Sequence, residues 1–193
     1  ILRRWSAGGS SMTGLQALHF SRNEQRWMAQ HPRLRVVIDD SFLPLSFYGR
    51  DGEFRGLGAD VLAKITLRTG LRFDIQRAHT VPELIEQIRT GQADLLISLT
   101  PSPEREKLLR FTRPYLSTPY VLISRSATGS PGTLDDMSGK RLAVIRGTPV
   151  RGMLIEQYPG IELVDADNAE QAMTLVANGQ ADAAVSALIT ARY

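Results

Sequence analysis

Arg105 stands five residues after Thr100 and three after Ser102, within the stretch Gly91–Tyr120, GQADLLISLTPSPEREKLLRFTRPYLSTPY. Leu95–Leu99 has the length and apolar character of a buried strand. Ser98 and Thr100 bring hydroxyls to its C-terminal end, and Pro101 and Pro103 stop it. A helix is predicted next, with Ser102 as N-cap, Pro103 at the first helical position and Glu104 in the first turn. Small ligands of open α/β sheets bind outside the carboxyl ends of the strands. Hydroxyls, the free N–H groups of a helix start and a guanidinium would meet there, a set of donors that suits a carboxylate or other small anion. The plainer alternative is a solvated arginine among Glu104, Glu106, Lys107 and Arg110.

The elements that must position these groups follow an alternating pattern. Leu34–Ile38 reads as a strand, Asp60–Arg68 as a helix ending near Gly70, Leu71–Gln76 as a strand, and Val81–Arg89 as a helix ending near Gly91. With Leu95–Leu99 this is βαβαβ, which predicts a parallel sheet with helices on its faces. Tyr120–Ser124 is a further extended segment. After the Gly- and Ser-rich break SATGSPGTLDDMSGK, a second α/β unit repeats the order: strand Arg141–Ile145, helix Val150–Gln157, strand Ile161–Val164, helix Ala169–Asn178, strand Ala183–Val185. This repeated order implies two lobes. The phrases Gly91-Gln92-Ala93-Asp94 and Gly179-Gln180-Ala181-Asp182 occupy the same place in each, a helix C-cap Gly leading through Ala-Asp into a buried strand, a structural rhyme that is weak evidence for duplication.

Upstream, Ser21 and Glu24 form a capping-box signature for a short helix ended by His31-Pro32. Residues 1–19 combine ILRRW with a Gly- and Ser-rich joint and read as the end of a preceding domain plus linker. The predicted organisation is residues 1–19 linker, 20–33 junction helix, 34–124 first lobe with a hinge strand, and 125–193 second lobe.

The 193 residues are 42% hydrophobic and 22% charged, enough for one large domain or two small lobes. The net charge of +3 is spread without a basic block, which argues against nucleic acid as partner. No apolar run reaches the roughly 18 residues of a membrane span. With no cysteine, disulfides and thiolate metal sites are excluded, and His19, His31 and His79 lack ligand spacing, so no metal or cofactor is expected. The chain opens at Ile1 without a leader pattern and reads as a segment of a longer protein.

RVVIDDSFLPLSF, DGEFRGLGAD, GQADLLISLTPSPER, FTRPYLSTPYVLIS, LDDMSGKRLAVIRGT and NGQADAAVS, in this order, resemble the type II periplasmic solute-binding proteins in their polar amino-acid-binding branch. HFSRNEQRWMAQHPRLRVVID further resembles the junction that introduces a Venus-flytrap domain in hybrid sensor histidine kinases of the BvgS/EvgS type. The resemblance implies a two-lobed α/β flytrap, here without its C-terminal return to the first lobe. It also implies a small anionic or amino-acid-like ligand, an adjacent flytrap in the same polypeptide, a homodimer and a periplasmic location in an inner-membrane protein.

By the same resemblance Arg105 pairs with a ligand carboxylate and Ser98 and Thr100 flank it. Asp39 and Phe42 offer an acid and an aromatic wall, Gln76 faces the cleft, and Gly147 and Thr148 contribute donors from the second lobe. Two departures stand out: Pro149 has no N–H where the family supplies a donor, and Ala187 replaces the aspartate that accepts a ligand ammonium. A small carboxylate without an amine therefore fits better. The soluble component of an ABC importer is the alternative function. Some dehydratases and the regulatory parts of some lytic transglycosylases also resemble this fold; catalysis here would rest on Asp39 alone, so the segment is read as non-enzymatic.

Overall fold

A computed structural model describes residues 18–126 and 129–193. The predicted preceding-domain end and linker fall almost wholly outside the described residues, as do two residues of the predicted break. The junction segment forms α1 (Arg22–Gln30). Its capping box is complete: the Glu24 N–H donates to Ser21 Oγ (3.3 Å) and the Ser21 N–H to Glu24 Oε2 (2.7 Å). His31 ends the helix by donating its own N–H to Trp27 O and stacking on the Trp27 ring.

From residue 33 onward the chain builds two lobes. In the first, β1 (Arg33–Asp39) lies between β5 (Arg72–Ala78) and β6 (Leu95–Leu96), all parallel. A central parallel strand is covered on both faces, which is why Val36, Val37 and Ile38 form an unbroken buried run. Alternation along the strand sends Val36 and Ile38 to Leu62 of α2 (Leu57–Thr69), and Val37 to Leu84 of α3 (Val81–Arg89).

The strand expected over Leu95–Leu99 pairs only through Leu95 and Leu96, because Ser98 turns the backbone to φ 64°. Among the described residues the outer edge of β6 has no strand beside it. Between β1 and α2 the chain adds an antiparallel ribbon that the sequence reading did not anticipate: β2 (Ser41–Phe42), β3 (Ser46–Tyr48) and β4 (Phe54–Arg55). Buried Ser46 ties it down by donating its hydroxyl to the Asp39 carbonyl.

The second lobe is a four-stranded sheet in the order β7 (Tyr120–Ser124), β10 (Ala183–Ala187), β8 (Arg141–Ile145), β9 (Glu162–Ala166). The segment assigned to the hinge, Tyr120–Ser124, is thus an edge strand of this sheet, antiparallel to β10. One face packs Leu142, Val144 and Val185 against Leu154 of α5 (Pro149–Gln157). The other packs Ala143 and Ala184 against Ala172 and Val176 of α6 (Ala169–Ala177), where small side chains bring helix and sheet close together. Among the described residues no helix is long and apolar enough to cross a membrane.

The repeated Gly-Gln-Ala-Asp phrase has the same job in both lobes. Asp94 donates its N–H to Arg35 O (2.9 Å) and its carboxylate receives the Arg35 N–H (2.8 Å) and guanidinium (2.7 Å). Asp182 repeats this with Arg141: 2.8 Å to the carbonyl, 2.8 Å from the N–H and 3.3 Å from the guanidinium. Each aspartate thereby clamps the strand it introduces to a neighbouring parallel strand, β6 to β1 in the first lobe and β10 to β8 in the second.

The Arg141 N–H, and then its guanidinium, hold the Asp182 carboxyl below the usual range. The folded state binds that proton less well than the unfolded state, so the stabilisation is complete above an ordinary aspartate pKa of about 3.9 and is lost as pH falls through the depressed value. Asp182→Ala is expected to lose about 1–3 kcal/mol near neutrality. Chemical denaturation across a pH series should show the gap from wild type closing on acidification; a gap independent of pH would contradict this role.

Candidate functional site

The cleft between the lobes is bounded by strand ends and helix starts. A cavity of about 770 Å³ is lined by Asp39, Phe42, Ser98 and Thr100 from the first lobe and by Thr148 and Ala187 from the second. It continues along the open edge of β6 past Leu95 and Leu96. A second cavity of about 740 Å³ is lined by Arg105, Gly147 and Thr148 together with Arg146, Arg151 and Asp165. The eight predicted residues are therefore divided: five line the first cavity, three the second with Thr148 shared, and Gln76, two residues before the end of β5, lines neither.

Arg105 lies on α4 (Pro103–Glu106), a single turn capped by Ser102, whose Oγ accepts the Arg105 N–H as the sequence predicts. Its side chain is not the solvated surface arginine of the plainer reading, since only 6% of the residue is exposed. Nη1 donates to Thr100 O (2.6 Å) and Nη2 to Gly147 O across the cleft (2.6 Å). Burial pulls its pKa below the ordinary arginine value, although a guanidinium remains protonated. Among the described residues no carboxylate lies within ion-pair distance of it.

Ser98 meets a residue that the sequence reading passed over. Both its N–H (3.0 Å) and its Oγ (3.1 Å) are hydrogen-bonded to the Tyr115 hydroxyl. Tyr115 stands 17 residues away and also lines the first cavity; the phrase Arg113-Pro114-Tyr115 carried no local signal for that reach. Thr148 is the N-cap of α5, but its hydroxyl donates to Ile145 O (2.6 Å) and caps nothing. With Pro149 at the first helical position and no acid in the first turn, the positive end of α5 is left without a side-chain partner.

Asp39 is half-buried at the end of β1. Burial pushes its carboxyl up, against the pull of the Ser41 hydroxyl (2.7 Å) and N–H (2.9 Å). Asp94 also lines the cavity but is engaged with Arg35. Ala187 lines the cavity where an ammonium acceptor would stand in the resemblance. Among the described residues no three His, Asp or Glu side chains are grouped to hold a metal ion.

Residues 34–151 match the family model of bacterial extracellular solute-binding proteins, family 3. The chain belongs to this family. It is 38% identical to the virulence sensor protein BvgS of Bordetella bronchiseptica over 193 residues, which is 100% of this chain and 16% of that protein. It is 30% identical to the sensor protein EvgS of Escherichia coli K12, again across 100% of this chain and 16% of the relative. The crystal structure of the periplasmic VFT2 domain of Bordetella pertussis BvgS superposes with a TM-score of 0.84 at 39% identity, covering 91% of this chain and 74% of that one. The fold of this family 3 member is thus the Venus flytrap expected from the motifs, and the chain spans about a sixth of the sensor proteins it matches.

Proposed function

We propose that this chain is a periplasmic ligand-sensing flytrap of a two-component sensor histidine kinase, itself without catalytic activity, whose lobe state biases a kinase elsewhere in the polypeptide. One observation carries the reading: the similarity to BvgS covers 100% of this chain, whereas the solute-binding family model begins at residue 34. The shared length therefore includes the junction helix that precedes the solute-binding domain. An adjacent flytrap, a homodimeric arrangement and an inner-membrane anchor belong to the same proposal.

The ligand is a small carboxylate or amino-acid-like solute held between the lobes by Asp39, Phe42, Ser98, Thr100 and Thr148 of the first cavity, with Arg105 and Gly147 reaching it from the second; Gln76, which lines neither cavity, is left out of the set. The uncapped start of α5 and the buried guanidinium favour an anion. With Ala187 at the ammonium position, an amine-free carboxylate is favoured over a plain α-amino acid, because a buried ammonium without an acceptor costs several kcal/mol.

Thermal unfolding of the whole periplasmic region against a panel of small carboxylates and amino acids tests this. A ligand at about 100 times its Kd should add about 2.7 kcal/mol. The gain should vanish in Arg105→Ala. Absence of any shift across the panel would leave a flytrap whose lobe state is set by its neighbours alone.

A further inference from the structure

Ser98 and Tyr115 share a hydrogen-bond system with one proton to spare. The Tyr115 hydroxyl accepts the Ser98 N–H (3.0 Å), and the two hydroxyl oxygens are 3.1 Å apart. Each hydroxyl carries one O–H. One of these protons closes the bond between them, and whichever side donates it, the other O–H has no acceptor among the described residues. Both residues line the first cavity. The pair is also fixed in place. Among the described residues Ser98 is the one non-glycine with a positive φ (64°), a conformation that persists only where the surroundings hold it. Tyr115 holds it on one side, and two residues further on the Arg105 guanidinium holds the Thr100 carbonyl (2.6 Å). We propose that the Ser98–Tyr115 pair reads the atom beside the ligand's carboxylate and selects an oxygen acceptor there, as in a 2-oxo or 2-hydroxy acid, over an ammonium.

The rest of the cavity wall points the same way. An ammonium taken out of water needs an anionic acceptor. Two carboxylates stand among the residues lining this cavity, and Asp94 is engaged with Arg35. Asp39 accepts both the Ser41 N–H and the Ser41 hydroxyl on one oxygen, and burial favours its neutral form. Ala187 has no side-chain acceptor to offer. A carbonyl or hydroxyl oxygen, by contrast, needs one donor, which the spare O–H supplies while the bonds within the pair stay intact. A site built around such a donor discriminates against an analogue that lacks the acceptor, because the donor is then left unpaired. Tyr115 in this role presupposes the carboxylate-binding reading given above and narrows it to one class of solute.

Calorimetric titration of the full-length protein with carboxylates that differ only at C2 gives the test: propionate, lactate, pyruvate and alanine, and the matching set built on pentanoate. The 2-oxo and 2-hydroxy acids are expected to bind about tenfold tighter than the plain acid, the gain from one well-made hydrogen bond, and the amino acid most weakly. Tyr115→Phe keeps the ring and removes the hydroxyl. It is expected to bring the 2-oxo acid to within about twofold of the plain acid, whose own affinity stays within about twofold of its original value. An unaltered protein that prefers the amino acid, or binds the plain acid as well as the 2-oxo acid, overturns the proposal. So does a Tyr115→Phe protein that keeps the preference, that binds the solutes more tightly, or that weakens all of them alike, the mark of a purely structural tyrosine. If every solute binds equally and Arg105→Ala abolishes all of them, the carboxylate reading stands and the selectivity alone falls; no binding of any solute removes both. If Tyr115→Phe does not unfold cooperatively, the ranking in the unaltered protein decides.

Discussion

Gly56→Ala is expected to destabilise the fold by about 3 kcal/mol or more, from backbone strain and overpacking acting together. Gly56 has φ 106° and ψ −179°, a region open in practice only to glycine. A Cβ there would lie 2.7 Å from both the Leu45 and Pro44 carbonyl oxygens, which are main-chain atoms and cannot swing aside. Those carbonyls are also fixed by hydrogen bonds from Leu57 N (to Pro44 O, 3.2 Å) and Gly58 N (to Leu45 O, 2.8 Å). The ribbon and the start of α2 are therefore sewn together at this glycine. Because the ribbon carries Phe42 to the cavity wall, loss of this join should also weaken any ligand that contacts Phe42. Urea denaturation followed by circular dichroism gives the test: a midpoint corresponding to less than about 1 kcal/mol of loss at unchanged slope would mean that the ribbon moves freely.

Leu154→Ala is expected to cost about 2–5 kcal/mol, the range for emptying a leucine-sized site in a packed core. Leu154 is fully buried, within the cluster of Met137, Leu142, Val144, Val150, Ile161, Ala183 and Val185. It anchors α5, whose N-terminus presents Gly147 and Thr148 to the cleft, so the damage should reach the site as well as the core. The neighbouring residue supplies the control. Ile155 is 51% exposed on the same helix, and Ile155→Ala should stay within about 0.5 kcal/mol of wild type. Equal losses for the two would show that α5 is not held by its buried face.

Much of this organisation is legible from local chemistry. The continuous apolar runs of β1 and β8 report strands covered on both faces, and both are central in their sheets. Ser21 with Glu24, and Ser102 with Pro103, act as the caps that their spacing predicts. The twin Gly-Gln-Ala-Asp phrases, a weak rhyme when read as letters, prove to be twin clamps on Arg35 and Arg141. These signals are short-range: hydrophobic period, cap geometry and turn residues act within a few positions of the chain.

Local chemistry along the chain is enough for the order of the main strands and helices, the two α/β lobes, the cap of α4 and the group of polar residues brought to the strand ends. What those residues touch follows from long-range packing. The three-stranded ribbon was hidden because its strands are two or three residues long and hold together through pairing and the Ser46 hydroxyl, with no alternation to read. Ser98 reads as part of a strand, yet the backbone turns there, and the hydroxyl of a tyrosine 17 residues on accepts its N–H and shares a hydrogen bond with its hydroxyl. The resemblance puts Arg105 at a ligand's carboxylate, and the packing of the lobes also brings its guanidinium to Gly147 O, 42 residues away. Each of these contacts depends on closing a long loop, and the partner is chosen by how whole elements pack rather than by the residues beside it in the chain.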